Sequence, residues 1–501
     1  MNATTSRLFI LFVLALLMAA SRAHVFDHFS PPDASWAVFF IAGFHLRGWG
    51  RWAFPALMAL AVGVERVIFL GRTERENRSL WARIAPLLKA GDFNEAERLA
   101  SELGEKVGET VGYRIRLDSR VGPNTRIEVV TEGILTRMIQ DDPELGGNGP
   151  GGIAALLFDE FHERHLAADL GLALALDVQA QLREDLRIVV MSATLDGQRL
   201  ADFLDAPRLS SEGRSFPVQV AHFPARREES IEAQARRATT EALARHPGDV
   251  LVFLPGQREI ARLQAALEAA AALPADTEVL ALHGELPVEQ QSRVLQPAPD
   301  GRRRVVLATN VAESSVTLPG VRVVIDSGLA REPRFDPNSG FSRLDAVAIS
   351  QASADQRAGR AGRVAEGWAW RLWPESQRLE AQRRPEIAQV ELAGLALELA
   401  SWGSDALRFV DPPPPGALAA ARELLQRLGA LADSGGLTAT GKRMLALGTH
   451  PRLAAMLLSA GEGEDRALAC DLAALVEARD PLRMGGDALA ARWRALAAFR
   501  S

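Results

Sequence analysis

Residues 356–363 read Gln356-Arg357-Ala358-Gly359-Arg360-Ala361-Gly362-Arg363 and place one glutamine and three arginines on one short segment. The residues between them are small, which predicts that the guanidinium groups are available to a ligand. Such arginines can reach the terminal phosphate of a nucleotide from a neighbouring domain and offset the charge of a phosphoryl group in transfer. The segment alone could equally begin a solvent-exposed helix, so its interpretation depends on what precedes it.

Four further segments occur upstream in a fixed order. The apolar run Ile153–Phe158 ends in Asp159-Glu160-Phe161-His162. A hydrophobic strand that ends in two carboxylates is a common way to hold Mg²⁺ and polarise a water beside a nucleotide. The other segments are apolar runs that end in small or polar residues: 187–191 before Ser192-Ala193-Thr194, 250–254 before Pro255-Gly256, and 305–310 before Ala312-Glu313-Ser314-Ser315. Each segment is a weak indication alone, and together they are a strong one.

In this order the chain resembles the DEAH-box helicases of superfamily 2, and most closely their bacterial HrpB-type branch. The resemblance covers residues 96 to 460, approximately, and includes Thr131-Glu132-Gly133 besides the motifs quoted above. Residues 328–340 look like the β-hairpin that precedes the last motif of the family. Phe161 replaces the alanine of the common tetrad, and an aromatic residue there is typical of this branch.

The resemblance implies a catalytic site for ATP and Mg²⁺. Asp159 would coordinate Mg²⁺, and Glu160 would orient the attacking water. Gln356 would contact the γ-phosphate or that water. Arg360 and Arg363 would act as arginine fingers.

The resemblance also implies roles outside the phosphate chemistry. His162, grouped with the catalytic residues, would couple hydrolysis to domain movement together with Ser192 and Thr194. Four residues, two from each motor domain, would hold the nucleic-acid backbone: Thr131, Gly133, Thr309 and Asn310.

A motor of this kind needs a phosphate loop, G-x-x-x-x-G-K-[ST], whose amides cradle the phosphates while its lysine reaches the β- and γ-oxygens. The chain has three lysines, Lys89, Lys106 and Lys442. Residues 436–442 satisfy most of the pattern, but Arg443 stands where a hydroxyl should bind Mg²⁺, and the segment lies after the arginine motif. We interpret Lys442 as structural, in a region that resembles the winged helix after the second motor domain. The sequence therefore predicts no phosphate loop for ATP.

The residues before about 96 have a different character. Residues 8–20 form an apolar run followed by small residues, which is typical of a signal peptide or a short anchor. Residues 36–44 and 52–62 are apolar, with tryptophans at their edges, and could lie at a membrane interface or form an ordinary buried helical hairpin. Residues 64–100 are predicted to be an amphipathic helical stretch. Membrane association through residues 1–70 is therefore one interpretation, beside a cytoplasmic location for the helicase body.

The missing phosphate loop has a structural consequence. In the related fold, the strand that leads into this loop lies near the middle of a parallel sheet. Its loss would leave backbone edges unpaired, so the first motor domain is expected to be incomplete. A chain fused or rearranged near residue 95 accounts for the change in character, and the C-terminus is also expected to be short.

Bulk properties are compatible with this interpretation. A length of 501 residues allows three or four domains. The net charge of −6 provides no general basic field, so any nucleic-acid surface must be local. The single cysteine, Cys470, excludes internal disulfides and cysteine-based metal clusters and suits a reducing compartment.

The predicted fold class is α/β, with two RecA-like parallel-sheet motor domains, the first incomplete, followed by a helical and winged-helix segment. Strands are expected at 126–130, 153–158 and 187–191 in the first domain, and near Val250, Val279, Val305, Val323 and Trp368 in the second. The predicted domains are 1–23 (signal-like or anchoring), 24–95 (membrane-like or helical, unrelated to the motor), 96–212 (partial first motor domain), 213–380 (second motor domain), 381–460 (winged-helix-like) and 461–501 (start of a truncated helical domain).

Three functional interpretations follow and stay open on sequence alone. The resemblance implies an ATP-dependent helicase that moves along single-stranded nucleic acid, with RNA favoured over DNA. The missing phosphate loop favours a catalytically impaired remnant that binds nucleic acid without ATP turnover. A third interpretation is a membrane-associated fusion whose function lies in the first 95 residues.

Overall fold

The computed structural model describes residues 67–71 and, with short gaps, residues 96–477 and 489–500. The chain divides into two compact units. The first extends to Arg334 and includes Arg343–Glu386, and the second comprises Phe335–Ser342 and the residues from Ile387 onward. The first unit contains two six-stranded sheets with flanking helices, which confirms the predicted α/β class.

The first sheet is built from strands in the N-terminal part of the described chain. They are β1 (Val67–Gly71), β2 (Val111–Ile115), β3 (Asp118–Arg120), β4 (Ile127–Val130), β5 (Ile153–Phe158) and β6 (Arg187–Val190). Their order is β3-β2-β4-β1-β5-β6, and β4, β5 and β6 confirm the three strands predicted here. The accompanying helices are α1 (Glu132–Asp141), α2 (Leu166–Gln181) and α3 (Gly197–Leu204). Helix α2 is buried along most of its length because its sequence is apolar on nearly all sides.

Strand β1 corrects two expectations. Residues 67–71 form a strand and not part of a helical stretch, and this strand lies between β4 and β5, so the central position is not left unpaired. Its sequence, Val-Ile-Phe-Leu-Gly, has the β-branched and aromatic residues that favour strands. An inserted strand supplies the backbone partners that both neighbours would otherwise lack.

The direction of β1 differs from that of the three strands predicted for this sheet. Strands β2, β4, β5 and β6 share one direction, whereas β1 runs antiparallel to both β4 and β5. Ile68 lies opposite Leu157, and Gly71 lies opposite Ile153, the first residue of β5. The C-terminal end of β1 is therefore at the edge of the sheet opposite to Asp159.

The second sheet confirms the predicted parallel motor sheet. Its region contains β7 (Val218–His222), α4 (Ile231–Arg245), β8 (Asp249–Phe253), α5 (Gln257–Glu268), β9 (Thr277–Leu282), α6 (Val288–Leu295), β10 (Arg303–Ala308), β11 (Val321–Asp326), β12 (Leu329–Asp336), β13 (Phe341–Ala348), α7 (Gln351–Gly359) and β14 (Gly367–Arg371). The strand order is β7-β14-β11-β8-β10-β9, with all pairs parallel. Residues 250–253 of β8 and 305–308 of β10 are continuous apolar runs, as expected where helices pack on both faces of a sheet. Strands β12 and β13 form the predicted hairpin.

The second unit is mainly helical. It contains α8 (Ala393–Trp402), α9 (Pro415–Arg427), α10 (Ala439–Leu447), α11 (Pro451–Ser459), α12 (Glu464–Glu477) and α13 (Leu489–Arg500). Lys442 is exposed on α10, and the Gly441 N–H donates to Thr438 Oγ1 at 3.0 Å in the helix cap. This segment is thus a capped helix and not a phosphate loop. The winged-helix assignment and the predicted domain limits remain predictions.

The apolar segments at 8–20, 36–44 and 52–62 lie outside the described residues. Of the helices that the structure does describe, none has the length and hydropathy required to cross a bilayer.

Candidate active site

The carboxylates of the Asp-Glu-Phe-His tetrad follow the carboxyl end of β5. Asp159 Oδ1 accepts a hydrogen bond from the Glu160 N–H at 2.8 Å. Glu160 has a left-handed backbone, with φ 45° and ψ 33°. Such a conformation costs about 1–3 kcal/mol for a residue with a side chain and persists only where the surroundings fix it. The loop is therefore held in one geometry by its neighbours.

Phe161 is one of the groups that hold the loop. Its side chain is 1% exposed and meets Phe158 edge to face, with ring centroids 6.4 Å apart. Its N–H donates to Met191 O at 3.0 Å, which joins the loop to the end of β6. The phenylalanine of this tetrad is therefore a core anchor, a role that the sequence comparison with the alanine form did not reveal.

His162 brings the tetrad together with the Ser-Ala-Thr segment. Its Nδ1 lies 3.1 Å from Glu160 Oε2 and 3.4 Å from the backbone nitrogen of Ala193. Ser192 is adjacent to this contact, whereas Thr194 lies outside the described residues. Burial raises the pKa of Glu160, and the charge of His162 opposes this effect.

The arginine segment from the second sheet faces the same carboxylate. It consists of α7 followed by a 3-10 turn, Arg360–Gly362. The charges of Arg360 and Arg363 both act on Glu160 and lower its pKa, against the larger effect of burial. The structure therefore brings the predicted water-orienting carboxylate together with both predicted arginine fingers.

The expectation that all three guanidinium groups are available to a ligand is wrong for Arg357. This side chain is 1% exposed, and its Nε donates to Glu313 Oε2 at 2.8 Å. Its Nη1 donates to Asp326 Oδ1 at 2.9 Å, and the guanidinium lies over the Phe253 ring. Arg360 is also partly occupied, because its Nε donates to Glu313 O at 2.7 Å. Two carboxylates therefore bind the guanidinium of Arg357, and a backbone carbonyl binds that of Arg360.

Glu313 and Asp326 are site residues that the sequence interpretation missed. Glu313 was visible within Ala312-Glu313-Ser314-Ser315, and Asp326 is the last residue of the buried strand β11. A carboxylate at the end of an apolar strand is a signal that could have drawn attention to Asp326, since the same signal identified Asp159.

Gln356 borders a cavity between the two sheets. The cavity is lined by His162 and Glu163 on one side, and by Asn310, Glu313 and Gln356 among the residues on the other. Gln356 Oε1 is buried and has no hydrogen-bond partner among the described residues. A buried acceptor in this position is suited to bind a water or another donor inside the cavity.

The four predicted nucleic-acid residues lie at the carboxyl ends of two strands. Thr131 and Gly133 follow β4, and a Cβ added to Gly133 would meet no described atom within 4 Å. Thr309 and Asn310 follow β10, and Asn310 also lines the cavity near Gln356. Gly133 is therefore a position where a backbone phosphate could approach closely.

The site fits Mg²⁺ better than it fits a complete ATP molecule. Mg²⁺ is commonly held by one or two carboxylates together with phosphate oxygens, and Asp159 provides such a carboxylate. Within the described ranges, no cluster of three or more His, Cys, Asp or Glu side chains could hold a metal without such a partner. The phosphate loop is absent from the sequence, and β1 leads away from Asp159. The charges of Arg360 and Arg363 act on Glu160, and no phosphate-loop pattern precedes Asp159 in the sequence.

The fold and the site define the motor core of a superfamily 2 helicase. They combine two helix-flanked sheets, an Asp-Glu pair after one strand and an arginine segment that faces this pair. Residues 234–365 match the family described as Helicase conserved C-terminal domain. The chain is 49% identical over 402 residues to the ATP-dependent RNA helicase HrpB of Escherichia coli (strain K12). The match covers 79% of this chain and 48% of that relative.

Solved structures give the same assignment. The crystal structure of the Escherichia coli DEAH/RHA helicase HrpB matches with a TM-score of 0.74 and 47% identity, over 80% of this chain and 51% of that one. The structure of the E. coli DExH-box NTPase HrpB matches with a TM-score of 0.71 and 48% identity, over 80% and 49%. This chain belongs to the HrpB-type branch of the DEAH-box helicases. It spans about half the length of these relatives.

Proposed function

We propose that this chain is the motor core of an ATP-dependent helicase that acts on single-stranded RNA. The observation that carries the proposal is that His162 of the tetrad and Gln356 of the arginine segment, which follow different sheets, line one cavity. The charges of Arg360 and Arg363 also act on Glu160. Acid and arginines from two domains are the parts that phosphoryl transfer requires around one nucleotide. The names of the E. coli relatives, RNA helicase and NTPase, support the same activity.

Mg²⁺ and ATP, when bound, supply the phosphoryl group and part of the charge neutralisation. Asp159 would hold the metal through its carboxylate, and Glu160 would accept a proton from the attacking water. Gln356 Oε1 orients that water from the cavity. Arg360 and Arg363 offset the charge that spreads over the transferring group.

Movement along the RNA strand would depend on the contacts of His162 and on the predicted RNA-binding residues. His162 links Glu160 to Ala193, so a shift at the catalytic carboxylate reaches the segment that contains Ser192 and Thr194. Thr131 and Gly133 on one side, and Thr309 and Asn310 on the other, bind the RNA backbone. A change in the distance between these two RNA-binding sites would move the protein along the strand.

The proposal is tested by ATP hydrolysis of the purified chain with and without single-stranded RNA. RNA should stimulate hydrolysis, and Glu160→Gln should lower it by about a hundredfold or more because the proton acceptor is lost. Arg378→Gln, at an exposed position, is the control and should hydrolyse ATP at the wild-type rate. Hydrolysis that persists unchanged in Glu160→Gln would come from another protein and would reject the assignment.

The reversed direction of β1 favours a second candidate, a helicase-derived protein that binds RNA without ATP turnover. In this case, Thr131, Gly133, Thr309 and Asn310 bind RNA, whereas the site lacks the cradle that positions the phosphates. RNA affinity that is independent of ATP, combined with no RNA-stimulated hydrolysis, supports this candidate. RNA-stimulated turnover that depends on Glu160 eliminates it.

A further inference from the structure

Glu386 contacts the tetrad loop from a distant part of the chain. Its Oε2 accepts a hydrogen bond from the Leu166 N–H at 2.7 Å, and its own N–H donates to Arg164 O at 3.1 Å. Glu386 is the last residue of the first unit, and the chain enters the second unit at Ile387. One residue therefore holds the loop on both sides of His165 and adjoins the connection to the second unit.

The loop needs such external support because its backbone is unfavourable at both ends. Glu160 and Arg164 have φ values of 45° and 53°. A left-handed backbone persists in residues with side chains only where neighbouring groups fix it. Arg164 is fixed by its guanidinium, which donates to both oxygens of Asp169 at 3.1 Å, and by the Glu386 N–H at its carbonyl.

Glu386 also supplies the cap of helix α2. The first N–H groups of a helix lack partners within the helix, and their partial positive charge favours a carboxylate. His165 occupies the N-cap position, but the bond to the Leu166 N–H comes from Glu386. The start of α2, which follows the tetrad directly, thus depends on a residue located beyond the arginine segment.

His165 provides the positive charge between two carboxylates. Its Nε2 lies 2.8 Å from Glu163 Oε2, and its Nδ1 lies 3.5 Å from Glu386 Oε2. Hydrogen bonds to Glu163 and then to Glu386 raise the pKa of His165 to about 10, although burial acts in the opposite direction. Arg383 acts on Glu386 as well and pairs with Glu332 at 3.0 Å. A neutral His165 would leave Glu163 and Glu386 to repel each other.

We propose that Glu386 is a positioning residue that, with a cationic His165, fixes the tetrad loop and links its state to the chain entering the second unit. The positioning role stands on contacts within the ligand-free protein. The link to the second unit rests on the proposed function, because only a nucleotide or RNA would change the state of the loop.

The positioning role is tested by hydrogen–deuterium exchange on the full ligand-free chain. Glu386→Ala should accelerate exchange in peptides covering residues 160–168 by about tenfold, because a hydrogen bond to a charged group is lost. The control is Glu380→Ala, which removes an exposed carboxylate paired with Arg384 in the same segment. Equal exchange at 160–168 in both variants overturns the proposal.

The charge of His165 is tested by the pH dependence of the melting temperature. A histidine whose folded pKa is raised contributes stability that is complete below about 6.5, its ordinary value, and is lost as the pH rises through about 10. His165→Gln should remove this loss between pH 7 and 10.5, and His165→Arg should keep the wild-type melting temperature at pH 7 without the loss. Few other side chains titrate near pH 10, because the chain has one tyrosine and three lysines. If the melting temperature depends on pH in the same way in the wild type and in His165→Gln, the proposal is contradicted. This test does not require Glu386→Ala to fold.

The link to the second unit is tested by adding ATP, Mg²⁺ and single-stranded RNA. In the wild type, these ligands should change the exchange of residues 387–402, and in Glu386→Ala the change should be lost. An equal change in both proteins rejects the link. A wild type that does not respond at all rejects the link together with the proposed motor function, whereas the exchange and pH measurements without ligands still decide the positioning role.

Discussion

Arg357 carries its charge inside the core of the second sheet, where Glu313 and Asp326 neutralise it. We expect Arg357→Met to lower the free energy of unfolding by about 3–5 kcal/mol, because the buried Asp326 and the partly buried Glu313 would lose their partner. Denaturant unfolding measures this change. Arg378→Met, at an exposed position, should change stability by less than about 0.5 kcal/mol. A loss for Arg357→Met as small as that of the control would show that its ion pairs are not the source of stability.

The three arginines have different surroundings, and the sequence motif could not predict this difference. The charges of Arg360 and Arg363 act on Glu160, and their roles as arginine fingers stay predictions. The motif did not predict that Arg357 is buried, because its partners Glu313 and Asp326 are 44 and 31 residues away in the chain. The same limit applies to Phe161, whose packing against Phe158 and bond to Met191 depend on the folded sheet. A local motif shows which reactive side chains are present. Their burial depends on residues that are distant in the sequence.

At the scale of elements, long apolar runs were predictable and β1 was not. Strand β5, residues 250–253 of β8 and residues 305–308 of β10 are continuous apolar segments, and their length and bounds indicate buried strands. Strand β1 is a five-residue segment within a charged region, and it is stabilised by its place between two existing strands. Its direction was also hidden, because parallel and antiparallel pairing both satisfy the backbone groups.

The place of β1 is tested by Phe69→Pro. Phe69 is paired with Glu128 of β4 and Leu156 of β5, so a proline there removes an N–H in the middle of the sheet. Hydrogen–deuterium exchange should show a loss of protection in both β4 and β5. Ser119→Pro in β3, an edge strand that pairs only with β2 among the described strands, should leave β5 protected. Unchanged protection of β4 and β5 in Phe69→Pro would mean that β1 does not occupy the central position in solution.

At the scale of the whole molecule, the choice between the two candidate functions depends on the direction of one strand. Residues 159–162 and 356–363 meet, whereas the strand in the central position points the wrong way to deliver a phosphate loop to Asp159. A loop placed after Gly71 would emerge beside Ile153, at the other edge of the sheet. A lysine and glycines inserted after β1 would therefore not reach Asp159.

Under the second candidate function, replacement of residues 1–95 by the corresponding strand and phosphate loop of the E. coli HrpB relative should restore ATP turnover. The grafted strand would run parallel to β5 and end beside Asp159, so the loop amides could hold the phosphates that Glu160, Arg360 and Arg363 act on. We expect RNA-stimulated ATP hydrolysis well above that of the original chain, and a loss of about a hundredfold or more when Glu160→Gln is added to the graft. Circular dichroism and RNA binding establish that the graft is folded. A folded, RNA-binding graft without hydrolysis would contradict the roles assigned to the acids and arginines, because the cradle would then no longer be the missing part.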